Sequence, residues 1–222
     1  DLVILDAGEG SSETGIDMEG GLTASWTLSG LTVKNARGMG IHQSGGSLTL
    51  DSVVGSDNGY VGLYTVFGNM VATGCTFRDN DVLGVVMAGM DGTMEDCLVA
   101  GNRTDETDGF GWGITVEDGS TLLATNTTVE GNQDAGVVVH DSAVVFEGCQ
   151  VQDNLLAEDG MGGWGFEVAD GGTLLATDTR IEGNAGAGVW LEEATATLVG
   201  CAVLENRDSG VLAGASDVEL DH

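Results

Sequence analysis

The stretch Thr127-Thr-Val-Glu-Gly-Asn-Gln-Asp-Ala-Gly-Val-Val-Val139 decides the fold. Thr127 and Val129 are two apart, as the inward positions of a short strand must be. Gly131 and Asn132 then supply turn residues, and Gly136 opens a second β-branched run. The same grammar recurs along the chain. Asparagines stand at Asn35, Asn58, Asn80, Asn102, Asn132, Asn154, Asn184 and Asn206, at steps of 23, 22, 22, 30, 22, 30 and 22. Five residues before the later ones come Cys75, Cys97, Thr127, Cys149, Thr179 and Cys201. Three before come Phe77, Val99, Val129, Val151, Ile181 and Val203.

Another strand precedes this one, with Leu48 and Leu50, Leu122 and Ala124, Val144 and Phe146, and Leu174 and Ala176 at period two. A third follows each asparagine, as in Gly84-Val-Val-Met87 and Gly188-Val-Trp-Leu191. Three short strands per 22 residues, parted by Gly, Asn and Asp turns, describe one coil of a solenoid. A helical repeat is excluded by the glycine in every unit and by a period of two where 3.6 would be needed. The expected fold is all-β: a right-handed parallel β-helix of about nine coils, one domain over 1–222. Inserts occupy 103–111 and 155–163, between the asparagine and the following strand. The chain begins and ends on strand-like segments without capping helices, which predicts a piece of a longer protein.

Composition agrees with a folded, turn-rich chain. There are 38 glycines, no proline and 41% hydrophobic residues among 222. Charge is lopsided: 36 acidic residues face six basic ones, a formal net charge of −30. Such a surface repels polyanions, so nucleic acid is excluded as a partner, and it gathers cations. No apolar run approaches the length of a spanning helix.

The asparagines at Asn58, Asn80, Asn102, Asn132, Asn154, Asn184 and Asn206 read as a structural ladder, each side chain bonding to its equivalents one coil away and tolerating left-handed turn geometry. The cysteines fall in an inward column, where small buried packing is expected and a Cys75–Cys97 disulfide stays open. The inserts carry Asp105, Glu106, Asp108, Glu158 and Asp159, oxygen ligands of the kind calcium takes. Neither an EF-hand loop nor the glycine-rich calcium nonapeptide is present, so solvated acidic loops are the competing reading. No other cofactor is signalled.

Two outward columns are unusually apolar. One runs His42, Tyr64, Val86, Thr115, Val138, Glu167, Trp190 and Leu212, beside Trp112 and Trp164 at the insert ends. Tyr64, Trp112, Trp164 and Trp190 are the candidate binding residues, since aromatic faces can stack on sugars, although a loop or another chain could instead cover them. The other column holds Val71, Leu123, Val145 and Leu175, interrupted by Thr49, Thr93 and Thr197, and predicts a packing partner or self-association.

Strings such as "GCTFRDN" (74–80), "GCQVQDN" (148–154) and "TRIEGNAGAGVWL" (179–191) resemble the β-helix repeats of the pectate-lyase-like superfamily. The opening "VILDAGEGS" with "LSGLTVKNARG" is similar to the first coils of large secreted bacterial β-helix proteins. This resemblance implies an extracellular or cell-surface protein, but not one activity, because the superfamily spans lyases, hydrolases, epimerases, tailspikes and adhesins. The hydrolases' Asn-Thr-Asp, Asp-Asp, Gly-His-Gly and Arg-Ile-Lys motifs are missing. The nearest fragment, Arg180-Ile-Glu182, has glutamate where lysine belongs. No lyase constellation of basic residue and calcium-binding acids is visible. The expected function is therefore a non-catalytic scaffold, adhesin or filament segment. The alternative is a carbohydrate-active domain that binds or cleaves a polysaccharide.

Overall fold

The computed structural model describes residues 3–8, 13–103 and 110–222. Among them the chain winds as a right-handed parallel β-solenoid of nine coils with three faces. The first face is a nine-stranded sheet running from Val3–Asp6 and Leu31–Lys34 through Thr128–Glu130 to Ala202–Leu204. The second face starts with Thr14–Glu19 and Met39–Ser44 and continues through Trp112–Glu117, Ala135–His140 and Trp164–Ala169 to Val211–Gly214. The third starts with Ser25–Ser29 and Ser47–Asp51 and runs through Thr121–Thr125, Ala143–Glu147 and Thr173–Thr177 to Asp217–Asp221. In two coils, Val61–Thr73 and Leu83–Glu95, the second and third faces merge into one bent 13-residue strand. No described helix is long and apolar enough to cross a membrane.

Register follows from the inward columns. Val33, Gly55, Phe77, Val99, Val129, Val151, Ile181 and Val203 stack as partners on the first face. Phe77 fills the space that Gly55 leaves, its ring lying 3.1 Å from where a Cβ would stand. Across the interior, Phe146 of the third face meets Phe166 of the second edge to face at 5.0 Å. Both are fully buried. Each such side chain contributes roughly 1.5–3 kcal/mol, which explains why a one-residue slip is not tolerated.

The asparagine ladder is present. Nδ2 of Asn58, Asn80, Asn102, Asn132, Asn154 and Asn184 each donates to Oδ1 of the next asparagine, at 2.8–3.3 Å. That same Oδ1 also accepts the backbone N–H of the asparagine one coil earlier. The uneven first step has a structural cause, and one expectation, on the left-handed residues, changes. Asn35 is off the ladder: the ladder position in its coil is Ala36, whose N–H donates to Asn58. Asn35 itself is left-handed at φ 58° and bonds to Asp6, which accounts for the step of 23. The left-handed residues are also not the ladder asparagines but those just before them, such as Asp57, Asp79, Gly131 and Asp153.

The glycine four residues after each regular asparagine has a steric cause. A Cβ on Gly136 would stand 2.6 Å from Asn154 Nδ2 and 2.7 Å from Gly165 O. At the corner leading into the first face, the cysteine and threonine column forms a second ladder. Cys97 N–H donates to Thr127 Oγ1, Thr127 N–H to Cys149 Sγ, and Cys149 N–H to Thr179 Oγ1. All four cysteines are free thiols.

Candidate functional surface

The second face carries the side chains with chemistry. Its outward column is Asp17, His42, Tyr64, Val86, Thr115, Val138, Glu167, Trp190 and Leu212 in continuous register. From Tyr64 to Trp190 it spans five strand spacings, about 24 Å. The middle is covered, as one of the two sequence readings allowed. Val86, Thr115 and Val138 are buried although they point away from the coil interior. Val86 packs in a small apolar cluster with Val61, Val82 and Leu83, against which Tyr60, Tyr64 and Trp112 lie.

The predicted aromatic residues separate into two groups flanking this covered stretch. Tyr64 is half-buried and its ring lies 5.7 Å from His42, whose Nδ1 meets Asp17 Oδ1 at 2.7 Å. Burial pushes the Tyr64 hydroxyl above its usual range, with Glu117, Tyr60 and Asp118 adding to the effect. At the other end Trp164 and Trp190 stack almost parallel, 5.0 Å apart at 13°. Trp112 packs against the exposed Phe110 at 4.3 Å and donates from Nε1 to Asp134 Oδ2 at 2.7 Å. Trp112 and Trp164 thus hold the insert ends down onto the coils.

Between these groups lies an ionisable patch that the sequence did not single out. His140 Nε2 stands 3.6 Å from Glu167 Oε1, with Glu167 only 14% exposed. The Glu167 carboxylate beside it raises the His140 pKa above its ordinary value against the opposing effect of burial, and the charges of Asp170 and Glu117 raise it further. Burial and Asp118 raise the Glu117 carboxyl, while His140 partly offsets them. In sequence these residues are scattered. Only the alignment of strands, which pairs Val138 with Glu167 and His140 with Ala169, brings them together.

Asp105, Glu106 and Asp108 lie outside the described residues. Glu158 and Asp159 are exposed, and Asp159 Oδ1 accepts the Met161 N–H at 2.9 Å, closing a turn. No group of three or more His, Cys, Asp or Glu among the described residues is placed to hold an ion. On the third face Val71, Leu123 and Leu175 are 45%, 40% and 38% exposed in the single chain, and Val71 and Leu123 line, with Asp91, Thr121 and the half-buried Val145, an open groove of about 500 Å³.

Coil geometry, ladder and triangular section define the class: a right-handed parallel β-helix. The chain belongs to the family described as right handed beta helix region, whose model matches residues 14–160. No curated protein matches it in sequence. Among solved structures it is similar to the periplasmic alginate epimerase AlgG, with a TM-score of 0.78 and 12% identity over 89% of this chain and 50% of that one. It also resembles pectate lyase Pel9A, with a TM-score of 0.59, 16% identity, and 100% and 68% coverage. Dettilon tailspike protein follows at 0.52 and 11%, over 96% and 52%. The chain therefore spans about half the length of the epimerase. At such identities the likeness is one of fold.

Proposed function

We propose that this chain is a rigid extracellular or cell-surface β-helix that binds a polysaccharide along its second face. The observation that carries the reading is the pair of aromatic groups flanking the covered middle of the outward column, Tyr64 at one end and the Trp164–Trp190 stack at the other, about 24 Å apart along one sheet. Amphipathic rings with a half-buried body and an accessible edge suit sugar rings, and an extended ligand suits an extended face. Proteins of this fold that act on alginate and pectate support the reading. The formal charge of −30 favours a neutral or cationic glycan, since polyuronates would be repelled unless a divalent ion bridged them. Calcium held by the insert carboxylates would supply such a bridge.

Calorimetric titration with neutral, cationic and polyuronate oligosaccharides, with and without calcium, tests this. Binding of a neutral or cationic glycan that weakens at least about tenfold in both Trp190→Ala and Tyr64→Ala is expected. Absence of binding across the panel, or binding indifferent to both substitutions, refutes it.

A second reading, self-association as a scaffold or filament segment, is favoured by the exposed column Val71, Leu123 and Leu175 on the third face. Sedimentation of the wild type beside Leu123→Asp distinguishes the two. A concentration-dependent dimer lost in the variant supports association, and a strict monomer excludes it.

A further inference from the structure

Asp134 joins the two insert corners. It sits in the coil between the inserts, at a corner position filled by Gly38, Tyr60 and Val82 in earlier coils. Its carboxylate accepts the Trp112 indole N–H at 2.7 Å, at the end of the first insert. Its backbone carbonyl accepts the N–H of Gly163 at 2.5 Å and of Trp164 at 3.1 Å, at the end of the second insert. Its own N–H donates to Leu155 O at 2.7 Å, where that insert begins. The fit is close enough to dictate a neighbour: a Cβ on Gly162 would stand 1.9 Å from Asp134 Oδ1, at φ +71°. Asp134 is itself left-handed, at φ 76°. A backbone conformation that costs energy in a non-glycine residue is held in place by contacts to both inserts at once.

Resting on the glycan-surface reading above, we propose that Asp134 is the positioning residue of the tryptophan surface, fixing Trp112 through its side chain and Trp164 through its backbone. The bond to Trp112 is charge-assisted when the carboxylate is ionised and weaker when it is neutral. Burial pushes this carboxyl up to about 6; Trp112 pulls it down, and the negative charges of Glu167 and Asp159 add to the rise. The orientation of Trp112 is therefore sensitive to mild acid. His140 and Glu117 titrate on the same face, so a substitution at Asp134 is needed to separate the contributions.

The experiment has two arms. In the first, tryptophan fluorescence of the ligand-free protein is followed from pH 4.5 to 8 in wild type, Asp134→Asn and Trp112→Phe, with circular dichroism establishing that each is folded. The wild type is expected to show a transition centred near pH 6 that disappears in both variants. A transition of unchanged midpoint and amplitude in Asp134→Asn overturns the proposal. Asp134→Ser serves the same purpose if Asp134→Asn does not fold.

In the second arm, the glycan that the wild type binds is titrated at pH 7.5 and pH 5. A loss of about tenfold is expected at the lower pH and in Asp134→Asn at both. If no glycan binds but the Asp134-dependent transition is present, the surface reading fails and the positioning of Trp112 stands. If glycan binds with equal affinity in wild type and Asp134→Asn, the positioning role fails and the surface reading stands.

Discussion

Asn102 Nδ2 donates to Asn132 Oδ1 at 2.8 Å, although the whole first insert lies between the two residues. That oxygen also accepts the Asn102 backbone N–H at 3.2 Å. Removing the Asn132 side chain leaves the buried Asn102 backbone N–H without its partner and Asn102 Nδ2 with only Phe77 O, at 3.5 Å. Asn132→Ala is expected to lose about 2–4 kcal/mol in chemical unfolding. A loss no larger than that of an exposed asparagine, such as Asn126→Ala, would count against the ladder as a stabilising element.

The glycine beside the ladder is constrained by its neighbours and not by its own dihedrals. Gly136 has no room for a methyl group between Asn154 Nδ2 and Gly165 O. Gly136→Ala is expected to cost about 1–3 kcal/mol through overpacking. Gly119→Ala, whose Cβ would meet nothing within 4 Å but whose φ is +73°, isolates the purely conformational cost. Comparing the two by denaturation separates crowding from strain.

Register is tested in the interior. Val129 and Ile181 are fully buried on the first face. Val129→Asp or Ile181→Asp would place an unpaired carboxylate among aliphatic side chains, at about 3–5 kcal/mol. The expected readout is a lower midpoint of urea unfolding or loss of the folded state.

The pair His140–Glu167 gives a pH signature. A histidine whose pKa is raised by folding contributes stability that is complete below the unfolded value, about 6.5, and lost as pH rises through the higher folded one. The stability gap between wild type and Glu167→Gln should therefore be widest between about pH 5 and 6.5 and shrink toward pH 9. NMR titration of His140 in Glu167→Gln should show its pKa falling. A histidine midpoint unmoved by the substitution would disprove the pairing.

The thiols should be nearly inert in the native state. Cys75, Cys97 and Cys149 are buried, whereas Cys201, in the penultimate coil, is half-buried. Burial also pushes the Cys149 thiol up, leaving little thiolate. Cys201 is expected to react first with an aromatic disulfide reagent, and the other three only on unfolding. Cys149→Ser should keep the stability that Cys149→Val loses, because serine retains an acceptor for the Thr127 N–H.

Fold was legible in the sequence because a solenoid repeats its constraints. Phe77, Val99, Val129 and Ile181 occupy one position of successive units, and the pattern announces itself without knowledge of distant contacts. Asn35 stood outside the ladder already in the spacing, its step of 23 to Asn58 marking it as the turn residue one place before the ladder position. The site was only partly legible. Tyr64 and Trp190 stood out as bulky outward residues in a regular column. Asp134 and the His140–Glu167 pair did not, because their meaning lies in what neighbouring coils present to them. The one available signal for Asp134 was an acidic residue at a corner where earlier coils carry Gly38, Tyr60 and Val82.

The inserts enlarge the repeat from 22 residues to 30, yet the strands on either side keep their partners, as Leu83 does with Trp112 and Ala135 with Trp164. Added length is absorbed wholly at one corner, like cloth gathered at a seam. That seam recurs in every coil, so coils that now turn through Gly59-Tyr60 or Ala185-Gly186 offer equivalent sockets for foreign loops. The molecule is in that respect a measured rail, on which peptides could be mounted at intervals of about 4.8 Å while the frame beneath stays fixed.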